Sequence, residues 1–168
     1  MRVVDMWMAF PNLLLALAFS AALGPGLGNL VIALVLSTWV IYCRIVRAEV
    51  LSLRESEYVQ AARAIGAGHL TIMFRHIFPN VIPALLVTST LQMGVVIITE
   101  ASLSFLGLGV QASTVTWGGM LADGRRYLRY AWWLTAFPGA AISLVVLAIN
   151  LLGDGLRDAL DPRLRSER

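Results

Sequence analysis

The sequence predicts an all-α, polytopic membrane protein with four membrane helices, and three observations carry that reading. Of its 168 residues 58% are hydrophobic and only 14% charged, with a mean hydropathy of +0.77; a soluble domain carries about 25% charge. The apolar residues form uncharged runs of 38 (6–43), 23 (77–99) and 24 residues (130–153). The basic residues lie between these runs, where arginine beside a membrane belongs.

The first run is too long for one span. As a single helix it would reach about 57 Å, nearly twice a hydrocarbon core of about 30 Å. Gly24, Pro25, Gly26, Gly28 and Asn29 cluster at its middle, a dense set of helix breakers. The run therefore divides into spans at about 6–23 and 30–46. Pro11 either kinks the first span or marks its true start. A signal peptide is the competing reading of the first 23 residues. Against it stand a nearly absent basic leader, a long apolar block and a second span that follows at once. The runs 77–99 and 130–153 are each long enough to cross with some tilt. Pro79 and Pro83 open the first of them, where a missing N–H costs least, and Pro138 lies early in the second.

Orientation follows from arginine. Arg2, then Arg44, Arg47, Arg54, Arg63 and Arg75, then Arg157, Arg163, Arg165 and Arg168 fall on one side, ten in all. Arg125, Arg126 and Arg129, three in all, fall on the other. The positive-inside bias puts both termini, the loop 47–76 and the tail 154–168 in the cytoplasm, and the loop 101–129 outside.

Composition excludes several chemistries. All 13 basic residues are arginine. Without lysine there is no Walker A phosphate loop and no Schiff-base or pyridoxal enzyme. The single Cys43 rules out an internal disulfide and cysteine-rich zinc patterns; it reads as a small buried apolar residue. No nucleophile elbow of the Gly-x-Ser-x-Gly form occurs, and no pair of carboxylates flanks a plausible site. His69 and His76 stand seven apart with no carboxylate at ligand spacing, so no metal site is expected. The basic balance belongs to the membrane surface, not to nucleic acid.

The cytoplasmic loop is neither short nor polar. Glu57 to Ile65 is rich in helix formers with Ser56 placed to cap it. Gly66 and Gly68 break the run. Leu70, Met73, Phe74 and Ile77 then recur at i, i+3, i+4 and i+7, one helical face. The expectation is a helix–glycine turn–helix outside the bilayer, with an apolar stripe that needs a cover: its own bundle, the membrane surface or a partner's groove.

Gln60-Ala61-Ala62, three residues, Gly66, and then Ile77-Phe78-Pro79 resemble the EAA loop of permease subunits of ATP-binding cassette importers. That pattern reads Glu-Ala-Ala, three residues, Gly, nine residues, Ile-x-Leu-Pro. The alanine pair, Gly66 and Pro79 match in register. Gln60 replaces Glu, His76 takes the Ile position and Phe78 replaces Leu; the first change keeps size and loses charge. Arg75 to Asn80, Glu100 to Gly109, Trp117-Gly118 and the tail from Asn150 to Arg163 are similar to the dipeptide/oligopeptide/nickel branch.

The resemblance implies a single transmembrane permease domain over 1–168. It implies a subunit that is not itself an enzyme and needs no cofactor, working with a second permease subunit, two ATPase subunits and an extracytoplasmic binding protein, in a bacterial or archaeal inner membrane. The solute would be a di- or oligopeptide, or nickel or another small solute. ATP would close the ATPase pair and move the seated loop helices. Tyr58, Gln60, Ala61, Ala62, Arg63, Gly66, Arg75 and Pro79 would form the coupling loop. Small Ala61 and Ala62 would let a partner approach the backbone, and Arg63 and Arg75 would meet an acidic rim. Family chains usually have six membrane helices; here the first two would be missing, through a fragment, a misassigned start or a truncated gene.

Polar residues within the spans are costly and often functional. Ser37, Thr38, Thr88, Ser89, Thr90 and Thr99 are expected to bond back to backbone or to a neighbouring helix. Gln92 and Asn150 either line a translocation path or glue helices together. Glu100, at the outer end of its span, either caps, pairs with an external arginine or meets solute. Tyr130, Trp132 and Trp133 read as an interfacial belt. Two other classes remain: an ATPase-independent channel or secondary transporter, which should show a repeated half and midplane charges that are not found, and a membrane structural or assembly protein.

Overall fold

The computed structural model describes residues 1–110 and 114–160. The described residues are almost wholly helical and contain no strand. Among the described residues eight α-helices occur in order: α1 (Arg2–Met8), α2 (Asn12–Leu23), α3 (Leu27–Arg54), α4 (Glu57–Ala64), α5 (His69–Thr71), α6 (Phe78–Phe105), α7 (Trp117–Gly124) and α8 (Trp133–Leu160). A π-helical segment, Ile72–Ile77, joins α5 to α6 into one continuous helix, His69–Phe105, of 37 residues. A 3₁₀ turn, Arg125–Tyr127, follows α7.

Among the described residues, three helices are long and apolar enough to cross a membrane: α3, His69–Phe105 and α8. The segment expected as a first span over 6–23 is broken. Pro11 takes a non-helical conformation (φ −59°, ψ 130°) at the start of α2, and α1 and α2 meet at 91°. Proline lacks the N–H and crowds the preceding turn, so the apolar run cannot stay straight. Alone, the 12 residues of α2 reach only about 18 Å. Among the described residues the candidate spans are thus three, or four if the bent pair serves as one span.

Helix limits also differ from the uncharged runs, because charges end a hydrophobic run without ending a helix. α3 continues to Arg54 and α6 to Phe105. Pro79 and Pro83 therefore lie within a helix that begins at His69, not in its first turns. At 37 residues that helix is about 55 Å long, far beyond a core of about 30 Å, so its first turns stand outside the hydrocarbon.

The chain divides into two compact units. One holds Met1–Val40 and Leu91–Asn150; the other holds Ile41–Thr90 and Leu151–Arg168, of which the described part ends at residue 160. The core of the first unit is Ala16, Leu30, Leu34 and Leu103, with Leu17, Val96 and Val110 against it. Trp7 stacks on Phe19 and meets Trp39 edge-on. Close helix approach here depends on glycine. A Cβ at Gly118 would lie 2.6 Å from the carbonyl oxygen of Ala101, and one at Gly124 would lie 3.0 Å from that of Leu134. The core of the second unit is Val59, Ala62, Ile72, Ile77 and Val81, flanked by Val46, Val50, Leu53, Ala67 and Leu85.

Most of the apolar helix surface is uncovered within the chain. Only 11% of the most apolar stretch of α8 is buried, so its covering is lipid or another chain. The hydroxyls follow the expected local pattern. Ser37 and Thr38 both donate to the Leu34 carbonyl, Thr88 to Ala84, Thr90 to Val87 and Thr99 to Val95, at 2.7–2.9 Å.

Candidate functional site

The loop 47–76 resolves into the end of α3, then α4, a glycine turn, and the helix that starts at His69. Ser56 occupies the N-cap position of α4, but its hydroxyl caps no N–H there; it donates to the Leu53 carbonyl, 2.5 Å away, at the end of α3. Glu57 in the first turn and Arg63 in the last match the helix dipole. α4 ends in a Schellman motif. The Gly66 N–H bonds the Arg63 carbonyl (2.9 Å) and the Ala67 N–H bonds the Ala62 carbonyl (3.0 Å). Gly66 sits at φ +81°, a left-handed conformation that a Cβ penalises.

The π segment decides which side chains face inward. Proline 79 has no N–H for the Arg75 carbonyl, and in an α register its ring would press on that carbonyl. The wider turn just upstream removes the conflict, and the Phe78 N–H bonds Met73, five residues back. Inward-facing residues are consequently Ile72, Ile77 and Val81, at steps of five and four. The stripe expected from 3.6-residue periodicity is split: Ile77 is buried, while Leu70, Met73 and Phe74 are exposed. Ile65 at the turn is 85% exposed. The loop thus has an apolar core of its own and still presents Ile65, Leu70 and Phe74 outward.

Side-chain bonds tie α4 to the root of α6. The Asn80 amide donates to the His76 carbonyl at 2.7 Å and to the Tyr58 hydroxyl at 3.4 Å; that hydroxyl donates weakly to His76 (3.5 Å). Sequence reading singled out Tyr58 without seeing this link, since Asn80 lies 22 residues away. Gln60 is exposed and donates to the Glu55 carbonyl at 2.9 Å. Ala61, Arg63, Gly66, Arg75 and Pro79 are also exposed. Ala62 is not: it is buried against the loop core. Its small side chain lets α4 approach the helix beneath it, so of the alanine pair only Ala61 can receive a partner.

The three polar residues expected along the spans have different surroundings. Gln92 is buried, and its amide nitrogen has no hydrogen-bond partner among the described residues. Asn150 of α8 lies against α6 at Gly94, where a Cβ would stand 3.1 Å from its side-chain oxygen. Glu100 lies eight residues beyond Gln92, about 12 Å along the axis, and accepts a bond from the Ser104 hydroxyl at 2.7 Å.

The loop expected over 101–129 holds a helix, α7. The Thr116 hydroxyl accepts from the Gly119 N–H at 3.1 Å and caps α7. Arg125 lies over the Phe105 ring, 5.3 Å from its centre. In the tail, Asp161, Pro162, Arg163, Arg165 and Arg168 lie outside the described residues.

Residues 1–166 match the family described as binding-protein-dependent transport system inner membrane component. The chain is 54% identical over 168 residues to a candidate peptide transport system permease protein of Brucella abortus, covering 99% of this chain and 56% of the relative. It is 50% identical over 166 residues to a di/tripeptide transport system permease protein of Pseudomonas aeruginosa, covering 99% and 55%. It is 48% identical over 165 residues to a dipeptide transport system permease protein of Escherichia coli, covering 98% and 55%. The chain spans about half the length of the curated relatives it matches.

Proposed function

We propose, from the premise that this chain belongs to the binding-protein-dependent transport system inner membrane component family, that it forms the permease part of an ATP-driven importer of di- or oligopeptides. The chain is a membrane protein of that family, and its relatives carry peptide-transport names. ATP hydrolysis belongs to separate ATPase subunits, since no lysine is present to build a phosphate loop. A second permease subunit completes the path, and an extracytoplasmic binding protein delivers the solute.

One observation carries the mechanism. The loop between α3 and α6 is stiffened by its own core yet leaves Ile65, Leu70 and Phe74 exposed. A cytosolic ATPase can seat these apolar side chains in a cleft, with Arg63 and Arg75 against an acidic rim. The loop runs without a break into His69–Phe105, so force on the turn enters a membrane-spanning helix directly. Motion of that helix then opens the path on one side and closes it on the other. Gln92 and Asn150 are the polar groups placed along that path, and Glu100 stands towards its outer end.

The experiment is a pull-down from membranes with coupled ATPase and peptide-uptake assays. Ile65→Asp changes a residue outside the core, and it should release the ATPase and abolish peptide uptake. Retention of a fully active, coupled ATPase after deletion of residues 57–68 would overturn the reading.

A further inference from the structure

The three arginines after α7 have no role in the mechanism above, and one of them, Arg125, lies over Phe105 at the edge of an apolar groove. That groove, of about 450 Å³, is lined by Ile98, Phe105 and Leu106 of α6 and its end, Leu121 of α7, and Gly139 and Ile142 of α8. All of these lie in one compact unit. We propose that the groove binds an anionic phospholipid, with an acyl chain between the helices and the headgroup phosphate on Arg125, Arg126 and Arg129.

Charge and depth argue for this occupant. Arg125 stacks over Phe105, a ring that lines the groove, so a cation stands at the groove's rim. Arg126 follows directly and Arg129 one turn later; all three are exposed. Asp123 is the only acidic residue in 101–129, and none of the three arginines forms an ion pair among the described residues. The arginines therefore present net positive charge with no counter-ion among the described residues. Tyr127, Tyr130, Trp132 and Trp133 are exposed beside them, and such a belt sits at headgroup level. Phosphate at the belt and hydrocarbon below it match the two halves of the site. A zwitterionic lipid fills the groove equally well but gains less from the arginines. The site stands on these contacts alone and does not require the coupling reading.

The test is native mass spectrometry of the full chain with added phosphatidylglycerol or phosphatidylcholine of equal chain length. Wild type should retain phosphatidylglycerol preferentially, by about fivefold for each arginine engaged. The R125Q/R126Q/R129Q variant should lose the preference, while Gly139→Phe, which fills the groove, should lose both lipids. Equal retention by wild type, or a preference that survives the triple change, overturns the proposal. A second readout needs no variant: phosphatidylglycerol with a photoreactive acyl chain should label peptides holding Phe105 and Leu106. Label spread evenly over α3, α6 and α8 overturns the proposal, because the contacts are then those of bulk lipid. A photo-crosslinker at Leu106 that captures a protein chain instead also overturns it, because the groove then holds a helix.

Discussion

Gly66 and Gly118 both disfavour most side chains, for different reasons that predict different substitution patterns. Gly66 has φ +81° and open space where a Cβ would go. Its constraint is torsional, about 1–2 kcal/mol for an ordinary residue. Asn, which visits this region, should keep the loop close to wild-type stability, while Val should cost more than Ala. At Gly118 a Cβ would meet the Ala101 backbone at 2.6–2.7 Å. There even Ala should destabilise the protein by about 1–3 kcal/mol, and Asn should be worse. Thermal unfolding in detergent distinguishes the two, and an Asn at Gly66 as damaging as Val would refute the torsional account. Gln92 gives a third case. Its amide nitrogen is buried and unbonded, a state that costs about 1–3 kcal/mol. Gln92→Leu should raise the melting temperature, and should lower peptide uptake if this amide serves the path. A lower melting temperature would mean that Gln92 has a partner within the protein. Sequence reading found Gly66 because a glycine between two helical patterns is a local signal. It gave Gly118 only as part of a motif, since the Ala101 contact joins residues 17 apart.

At the scale of elements, the π segment shows where periodicity stops being a guide. A 3.6-residue repeat places Leu70, Met73, Phe74 and Ile77 on one face; the structure buries Ile72 and Ile77 and exposes the other three. The signal was present in altered form. The step of five from Ile72 to Ile77 suits one wide turn, and Pro79 is a reason for that turn. The consequence is measurable in a Cys43→Ser background. Single cysteines at Leu70 and Phe74 should react quickly with a membrane-impermeant maleimide in inside-out vesicles stripped of the ATPase. Cysteines at Ile72 and Ile77 should react at least tenfold more slowly, a protection set by burial. Equal rates at Phe74 and Ile77 would mean that the segment follows an ordinary α register. The same limit explains Ala62. Its motif spacing was legible, but whether it faces a partner or the loop's own core depends on how α4 packs, and no local pattern encodes that.

For the molecule as a whole, helices long and apolar enough to cross were legible at α3, α6 and α8, and the first segment was ambiguous. Hydropathy sees apolar length, whereas Pro11 turns that length through 91°. The difference has a topological consequence. With four crossings, Asp5 shares a side with Ile65; with three, it lies opposite. Arginine counts separate these weakly. They stand ten against three in the first case and, with Arg2 moved across, nine against four in the second. Both favour a cytoplasmic loop, so the side of Ile65 is the firm expectation and the side of Asp5 the discriminating one. In the Cys43→Ser background, a cysteine at Ile65 should be protected from impermeant reagent in intact cells and should react after lysis. If it reacts in intact cells, no cytosolic motor can reach the turn, and the importer mechanism fails with it. A cysteine at Asp5 that behaves like Ile65 makes α1 and α2 together a bent span. One that reacts in intact cells makes them a re-entrant pair entering and leaving by the outer face. The apolar bend at Pro11 would then line the outer mouth of the path, instead of being held at mid-membrane by lipid on both sides.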